Sequence, residues 1–291
     1  LAENRAAQQN YTGAVSSAIP QKLFQKFSAF IYDELGIKLN DSKRTMLEAR
    51  LQKRLRTLGL HSFEDYYQYV FSPEGMRDEL AHMIDVVTTN KTDFFREPAH
   101  FDFMMDNALP ELTGGNSYGR KTVRVWSAGC STGEEPYTLS MVLSEYGESN
   151  PGFDFSILAT DISTRALQSA VKALYDEQKV QPVPLALKKK YLLKHKDKSK
   201  GLVKIIPELR NTITFRRLNF MDNEYGIKEQ MHIIFCRNVI IYFDKPTQER
   251  LLNRLVSNLV RGGYLFMGHS ETLNGMSVPV NQVYPTIYRK P

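Results

Sequence analysis

The sequence predicts an α/β fold, a doubly wound and mainly parallel sheet, behind an all-helical N-terminal unit. Three observations predict it. A β-type run, Val123-Arg-Val-Trp126, feeds into a Gly129…Gly133 turn and then a helical pattern over residues 134–146. A second apolar run, Ser156-Ile-Leu-Ala-Thr-Asp161, ends in an acid. From there to residue 268 strand-like and helix-like segments alternate, which is how a parallel sheet with helices on both faces is written in sequence.

Residues 1–18 are small and polar and are expected to form a mobile tail. In residues 20–35, Leu23, Phe24, Phe27, Phe30, Ile31 and Leu35 recur at helical spacing, and Gly36 ends the helix. Asn40 or Asp41 is placed to cap a second helix with Leu47, Leu51, Leu55 and Leu58 on one face and Gly59 as its stop. Residues 62–71 and 75–87 give two more, so residues 19–87 read as a helical domain.

The pattern changes at Thr88. Residues 97–112 are helical and Gly114-Gly-Asn-Ser-Tyr-Gly119 is a turn. Strands follow at 123–126, 155–160, 213–218, 232–236 and 263–268, with a helix over 246–260. A last run, 283–289, is expected as an antiparallel edge strand. Residues 176–210 break the rhythm with Pro182, Pro184, Pro207, a lysine-rich turn and the short run Gly201-Leu-Val-Lys-Ile-Ile206. They are expected to form an inserted subdomain of a helix and a small hairpin.

The glycine turn offers backbone N–H groups to a nucleotide-like ligand. Its spacing is neither G-x-G-x-x-G nor the P-loop pattern. Glu134 and Glu135 follow Gly133 where a P-loop has lysine. Two carboxylates there oppose a polyphosphate and suit a cationic ligand such as S-adenosylmethionine. Asp161, at the end of the second strand, is placed to accept from ribose hydroxyls; the alternative is that it caps the helix starting at Thr164.

Composition excludes several classes. No run of 18 apolar residues exists, so no membrane insertion is expected. The first residues lack a basic-then-apolar pattern, which argues for a cytoplasmic rather than a secreted protein. Cys130 and Cys236 form no ligand cluster and the six histidines show no metal pattern, so no metal is expected. Both cysteines end apolar strands and are expected as buried, reduced thiols on neighbouring strands. The net charge of +6 is concentrated in residues 172–217, with 13 Lys/Arg against 4 Asp/Glu. Without interleaved aromatics that surplus does not make a nucleic-acid platform. His269-Ser270-Glu271 lacks the nucleophile elbow of a hydrolase.

Four motifs stand in order: Thr88-Thr-Asn-Lys-Thr-Asp-Phe-Phe-Arg-Glu97, Ser131-Thr-Gly-Glu-Glu-Pro-Tyr137, His232-Ile-Ile-Phe-Cys-Arg-Asn-Val-Ile-Ile-Tyr-Phe-Asp244 and Gly268-His-Ser-Glu271. With them the chain, from about residue 20 to 290, closely resembles the chemotaxis receptor glutamate methyltransferases, the CheR family. The resemblance implies an N-terminal helical domain, a linker at 88–97, and a Rossmann-like methyltransferase domain at 98–291 with an inserted β-subdomain. It implies methyl transfer from S-adenosylmethionine to glutamate side chains of chemoreceptors, by a cytoplasmic monomer. It implies cofactor contacts at Asn90, Thr92, Arg96, Glu135, Asp161, Asn219, Phe220, Arg237 and Asn238. Tyr242 and Arg96 are the catalytic candidates, as orienter of the substrate carboxylate and source of positive potential; the alternatives are a core tyrosine and an arginine paired with Glu97 or Glu135. Lys43, Arg50, Lys53 and Arg54 form a basic band beside the leucine face of the second helix. The resemblance implies that this band meets the acidic methylation region of the receptor; the alternative is a solvated face. In part of the family the inserted subdomain also takes a peptide at the receptor's C-terminus. Here its turn, residues 195–200, is lysine-rich with no glycine before Gly201, which leaves that partner open. Two further alternatives are a methyltransferase of another substrate class and a non-catalytic cofactor-binding module.

Overall fold

The computed structural model describes residues 18–114 and 121–291. The expected tail at 1–18 falls outside them except for Ala18, as does the turn at 114–119 after Gly114. The chain forms two compact units.

The first unit comprises the described residues through Ile31 together with Leu39–Val87. Its helices are α1 (Gln21–Leu35) as far as Ile31, α2 (Arg44–Leu58), α3 (Phe63–Val70), α4 (Pro73–Asp78) and α5 (Leu80–Val87). Leu47, Leu51 and Leu55, one turn apart on α2, are fully buried. Ser62 caps α3 by accepting from Asp65 N, and Ser72 caps α4 by accepting from Gly75 N. Residues 75–87, expected as one helix, are two. The break falls at Glu79, whose buried carboxylate takes both Nε and Nη2 of Arg54 at 2.7 and 2.6 Å and the Tyr66 hydroxyl at 2.9 Å.

The second unit comprises Thr88–Pro291 and the segment Tyr32–Lys38. Residues 32–38, expected to belong to the helical domain, thus belong with the sheet. Ile37 bridges Phe243, and Glu34 O accepts from Asn219 Nδ2 at 2.7 Å. Residues 97–112, expected as one helix, become α6 (Ala99–Phe103), a π-helical turn (Met104–Ala108) and α7 (Leu109–Thr113).

Then come β1 (Lys121–Ala128), α8 (Glu134–Ser149), β2 (Phe153–Asp161), α9 (Thr164–Lys172), β3 (Leu174–Asp176), α10 (Leu185–Tyr191), β4 (Leu192–Lys194), β5 (Leu202–Ile205) and α11 (Pro207–Arg210). The chain finishes with β6 (Ile213–Arg217), β7 (Met231–Cys236), α12 (Lys245–Ser257), β8 (Leu259–Met267), β9 (Asn281–Tyr284) and β10 (Ile287–Arg289).

The main sheet runs β6-β2-β1-β7-β8-β10-β9. β6 through β8 are parallel neighbours, and β10 and β9 close one edge antiparallel. The expected parallel sheet with an antiparallel edge is therefore present. Its last run differs: Pro285 donates no N–H and Thr286 is left-handed (φ 59), so one strand becomes a hairpin. β8 also starts earlier than residue 263, because buried Leu259 pairs with Met231 and ends α12 at Ser257. The insertion forms a three-stranded sheet, β3-β5-β4, flanked by α10, and its first strand begins at Leu174 rather than after 175.

Apolar side chains cover both faces of the main sheet. One cluster holds Phe101, Tyr137, Phe235 and Phe266; the other holds Trp126, Ile234, Leu252 and Leu265. Phe235 and Phe266, on adjacent strands, stack at 4.4 Å.

Candidate functional site

β1 connects outward to β2 on one side, while β7 returns on its other side. The sheet therefore switches direction between β1 and β7. In an open α/β sheet ligands sit at this crevice, beyond the carboxyl ends of the strands. Every motif singled out above in the second unit emerges there or packs against it.

The loop after β1 is shaped by two glycines. Gly129 and Gly133 have φ of 86° and 96°, and a Cβ on Gly133 would lie 2.9 Å from the Tyr175 hydroxyl. Asp161, at the end of β2, holds this loop: Oδ2 accepts from Ser131 N at 2.8 Å and Oδ1 from Ser163 N at 2.9 Å. It does not cap α9; Ser163 does, accepting from Ala166 N. Ser131 Oγ donates to Asn90 O at 2.9 Å, so the loop also fixes the start of the linker.

The two carboxylates opening α8 are already neutralised. Glu134 is 1% exposed and accepts from Lys179 Nζ at 2.8 Å and Thr132 Oγ1 at 2.6 Å. Glu135 accepts from Arg237 Nε at 2.7 Å and Ser127 Oγ at 2.7 Å. Both carboxylates expected to suit a cationic ligand therefore also carry an internal cation partner. A buried carboxylate without such a partner would cost several kcal/mol.

Arg237, at the end of β7, is the hub of the site. Besides Glu135 it donates to Arg96 O at 2.6 Å, and its Nη1 lies 3.2 Å from His100 Nδ1 and 3.5 Å from Glu97 Oε2. Its guanidinium lies over the rings of Phe101 and Phe235. Linker, α6, α8 and β7 are thus tied to one planar cation. Arg96 itself pairs with neither Glu97 nor Glu135; its Nη1 reaches Lys91 O at 3.4 Å. Phe95 and Glu97 adopt φ of 52° and 57°, a strained course for non-glycine residues that the surrounding bonds hold in place.

Glu97, His100 and His269 lie close enough together to share an ion. The adjacent Arg237 guanidinium argues against a second cation there. Burial, then Arg237, push the His100 imidazole down to a pKa of about 4. Its Nε2 lies 2.9 Å from Thr286 Oγ1.

The loop after β7 depends on a residue outside the expected site set. Glu271 is 4% exposed, and its carboxylate accepts from Asn238 N at 2.9 Å, Gly268 N at 2.7 Å and Ile240 N at 3.0 Å. Asn238 sits at φ 58° between these bonds. The sequence does carry the signal, as the acid of Gly268-His-Ser-Glu271, without showing which backbone it would bind. Tyr242 ends the short 3₁₀ turn that follows, half-buried, with its carbonyl accepting from Lys38 N. Asn219 follows β6 and donates to Glu34 O; Phe220 and Thr92 are half-buried nearby in sequence to the strand end and in the linker, respectively.

The structure thus ties Asn90 and Asp161 to the glycine loop through Ser131, and links Glu135, Arg237 and Asn238 through Glu97 in a second set of bonds. The basic band of the first unit is not four free charges. Arg54 is spent on Glu79 and Arg50 Nη1 donates to Val87 O, which leaves Lys43 and Lys53 exposed.

The donor set fits S-adenosylmethionine. Asn90, Thr92, Asn219 and Asn238 present amide and hydroxyl groups from half-buried positions, and Glu97 Oε2 is buried without a hydrogen bond. Fold and site together define an S-adenosylmethionine-dependent methyltransferase. Residues 90–288 match the family described as CheR methyltransferase, SAM binding domain, and residues 22–88 match CheR methyltransferase, all-alpha domain. The chain is 41% identical to the chemotaxis protein methyltransferase of Borreliella burgdorferi, over 89% of this chain and 91% of that one. It is 38% identical to chemotaxis protein methyltransferase 2 of Pseudomonas aeruginosa, covering 91% of each. The Escherichia coli chemotaxis protein methyltransferase is 37% identical, over 88% of this chain and 86% of that one. The chain belongs to the CheR methyltransferase family.

Proposed function

We propose that this enzyme transfers a methyl group from S-adenosylmethionine to glutamate side-chain carboxylates of chemotaxis receptors, giving glutamyl methyl esters and S-adenosylhomocysteine. The observation that carries the substrate class is the commitment of the site's own acids. Glu97, Glu134, Glu135, Asp161 and Glu271 are each engaged by a cation or by backbone N–H groups. A substrate that must first lose a proton needs a free base. A glutamate carboxylate, with an unperturbed pKa of about 4.3, is ionised at neutral pH and needs none.

The bound cofactor supplies an electrophilic methyl on a positively charged sulfur. The protein's task is alignment, which is worth roughly 7–11 kcal/mol in favourable cases. In this reading Tyr242 orients the carboxylate through its phenol, and Arg96 adds positive potential and positions the cofactor. Asn90, Thr92, Glu135, Asp161, Asn219, Phe220, Arg237 and Asn238 contact the cofactor, and Glu135 and Arg237 also hold each other and the linker. Lys43 and Lys53 are the members of the basic band best placed to meet an acidic receptor surface. The division into a helical domain at 19–87, a linker at 88–97 and a catalytic domain at 98–291 belongs to the same proposal, with residues 32–38 reassigned to the catalytic unit.

Incubation with methyl-labelled S-adenosylmethionine and a chemoreceptor, followed by alkali, tests the reading. Volatile labelled methanol is expected from an ester. Label that resists alkali would point to methylation of nitrogen or sulfur and would remove glutamate as the acceptor.

A further inference from the structure

The inserted subdomain touches the glycine loop directly. Tyr175, on β3, is 4% exposed, and its hydroxyl donates to Thr132 O at 2.8 Å. Lys179, a few residues on, reaches Glu134 Oε1 at 2.8 Å, while Thr132 Oγ1 holds the other oxygen of that carboxylate at 2.6 Å. Thr132 is therefore gripped at its carbonyl by the insertion and at its hydroxyl by a carboxylate that the insertion neutralises. The Tyr175 ring also meets Phe94 of the linker edge-on at 5.0 Å. At the far end of α8 a second latch exists, in which Lys190 reaches Glu145 at 2.6 Å and Glu148 at 2.5 Å. That latch lies on the surface, about three turns from the glycine loop along the helix.

We infer that Tyr175 and Lys179 are positioning residues for the cofactor, so that the insertion forms a working part of the cofactor cradle and not only an appendage to it. Without the Tyr175 hydroxyl, Thr132 O loses its donor and the turn into Gly133 loses one side of its clamp. Without Lys179, the Glu134 carboxylate stays buried beside the loop with no cation, and the first turn of α8 must shift to hydrate it. Either change shifts the backbone of residues 131–133, the loop that Asp161 holds through Ser131 N. The inference rests on the reading of residues 129–133 as the cradle.

The test measures affinity for S-adenosylhomocysteine by calorimetry on the full chain, with thermal melting alongside. Tyr175→Phe and Lys179→Met are expected to raise Kd by about tenfold, the usual worth of one charge-assisted or buried hydrogen bond. Lys179→Arg keeps the cation and should restore affinity to within about twofold of the parent. Lys190→Met, at the other latch, should lower the melting temperature without changing Kd. A Lys179→Met Kd equal to the parent's overturns the inference, and so does a Lys190→Met loss as large as that of Lys179→Met, which would mean general loosening. Asp161→Ala separates the two readings. If it weakens binding while Lys179→Met does not, only the positioning role fails; if neither weakens binding, the cradle reading fails with it.

Discussion

Single residues at the strand ends hold the loops that shape the crevice. Asp161 anchors the glycine loop through Ser131 N and Ser163 N. Asp161→Ala should therefore cost cofactor affinity by about tenfold to a hundredfold, from lost anchoring and, in the proposed function, from lost ligand contact. Calorimetry on a folded variant with parental affinity would exclude both roles. Glu271→Gln replaces one acceptor with a donor that faces backbone N–H groups. Turnover should fall about tenfold or more, since residues 238–242 lose their mould, with a smaller change in cofactor affinity; steady-state kinetics with saturating receptor checks the split. Tyr242→Phe should lower turnover and leave cofactor affinity alone, and an unchanged turnover would remove it from the mechanism. His100 gives a pH signature. Its folded pKa, about 4, lies below the usual 6.5, so the unfolded chain binds the proton more readily. His100 is therefore stabilising-neutral above pH 6.5 and its contribution turns against the fold as pH drops from 6.5 towards 4. His100→Gln should flatten that part of a stability-against-pH curve.

At the scale of elements, α2 shows how a basic band is divided between buried pairing and exposed charge. Its spacing puts Lys43, Arg50, Lys53 and Arg54 beside the leucines, yet Arg54 closes a buried bidentate pair with Glu79 where α4 gives way to α5. Burial and the Arg54 neighbour act on the same cluster as Tyr66, whose hydroxyl donates to the same carboxylate. Arg54→Met should destabilise the helical unit by about 3–5 kcal/mol, because it leaves Glu79 buried and unpaired; denaturant melts measure it. Lys43→Glu with Lys53→Glu should leave stability nearly unchanged. In the proposed function that pair slows receptor methylation at low salt and loses its salt sensitivity, since exposed charges act through encounter steering. Parental rates at low ionic strength would mark the face as merely solvated.

Across the whole molecule, the two thiols report on the sheet. Cys130 follows β1 and Cys236 ends β7, strands paired in parallel at the switch point, as expected from their order. Both are free and fully buried, on opposite faces of the sheet, and burial raises both thiol pKa values well above the ordinary value. Neither should react with a thiol reagent in the native state, and both should react together on global unfolding. Labelling of one alone under native conditions would mean that one face opens independently.

The sequence by itself determined the class of fold, the order of elements and the motifs that the fold gathers at the switch point. Those follow from period, turn residues and local motif, which depend on neighbours along the chain. It also led to the family through four short motifs. What it left undecided was which partner each charge would take. Glu134 and Glu135 read as free acids because Lys179 and Arg237 lie 45 and 102 residues away. Arg54 read as a surface cation because Glu79 lies 25 residues away. Glu271 showed no function until folding brought it under the backbone of Asn238 and Ile240. Electrostatic pairing in a protein interior is set by distance in space and by desolvation, and only tertiary structure supplies either.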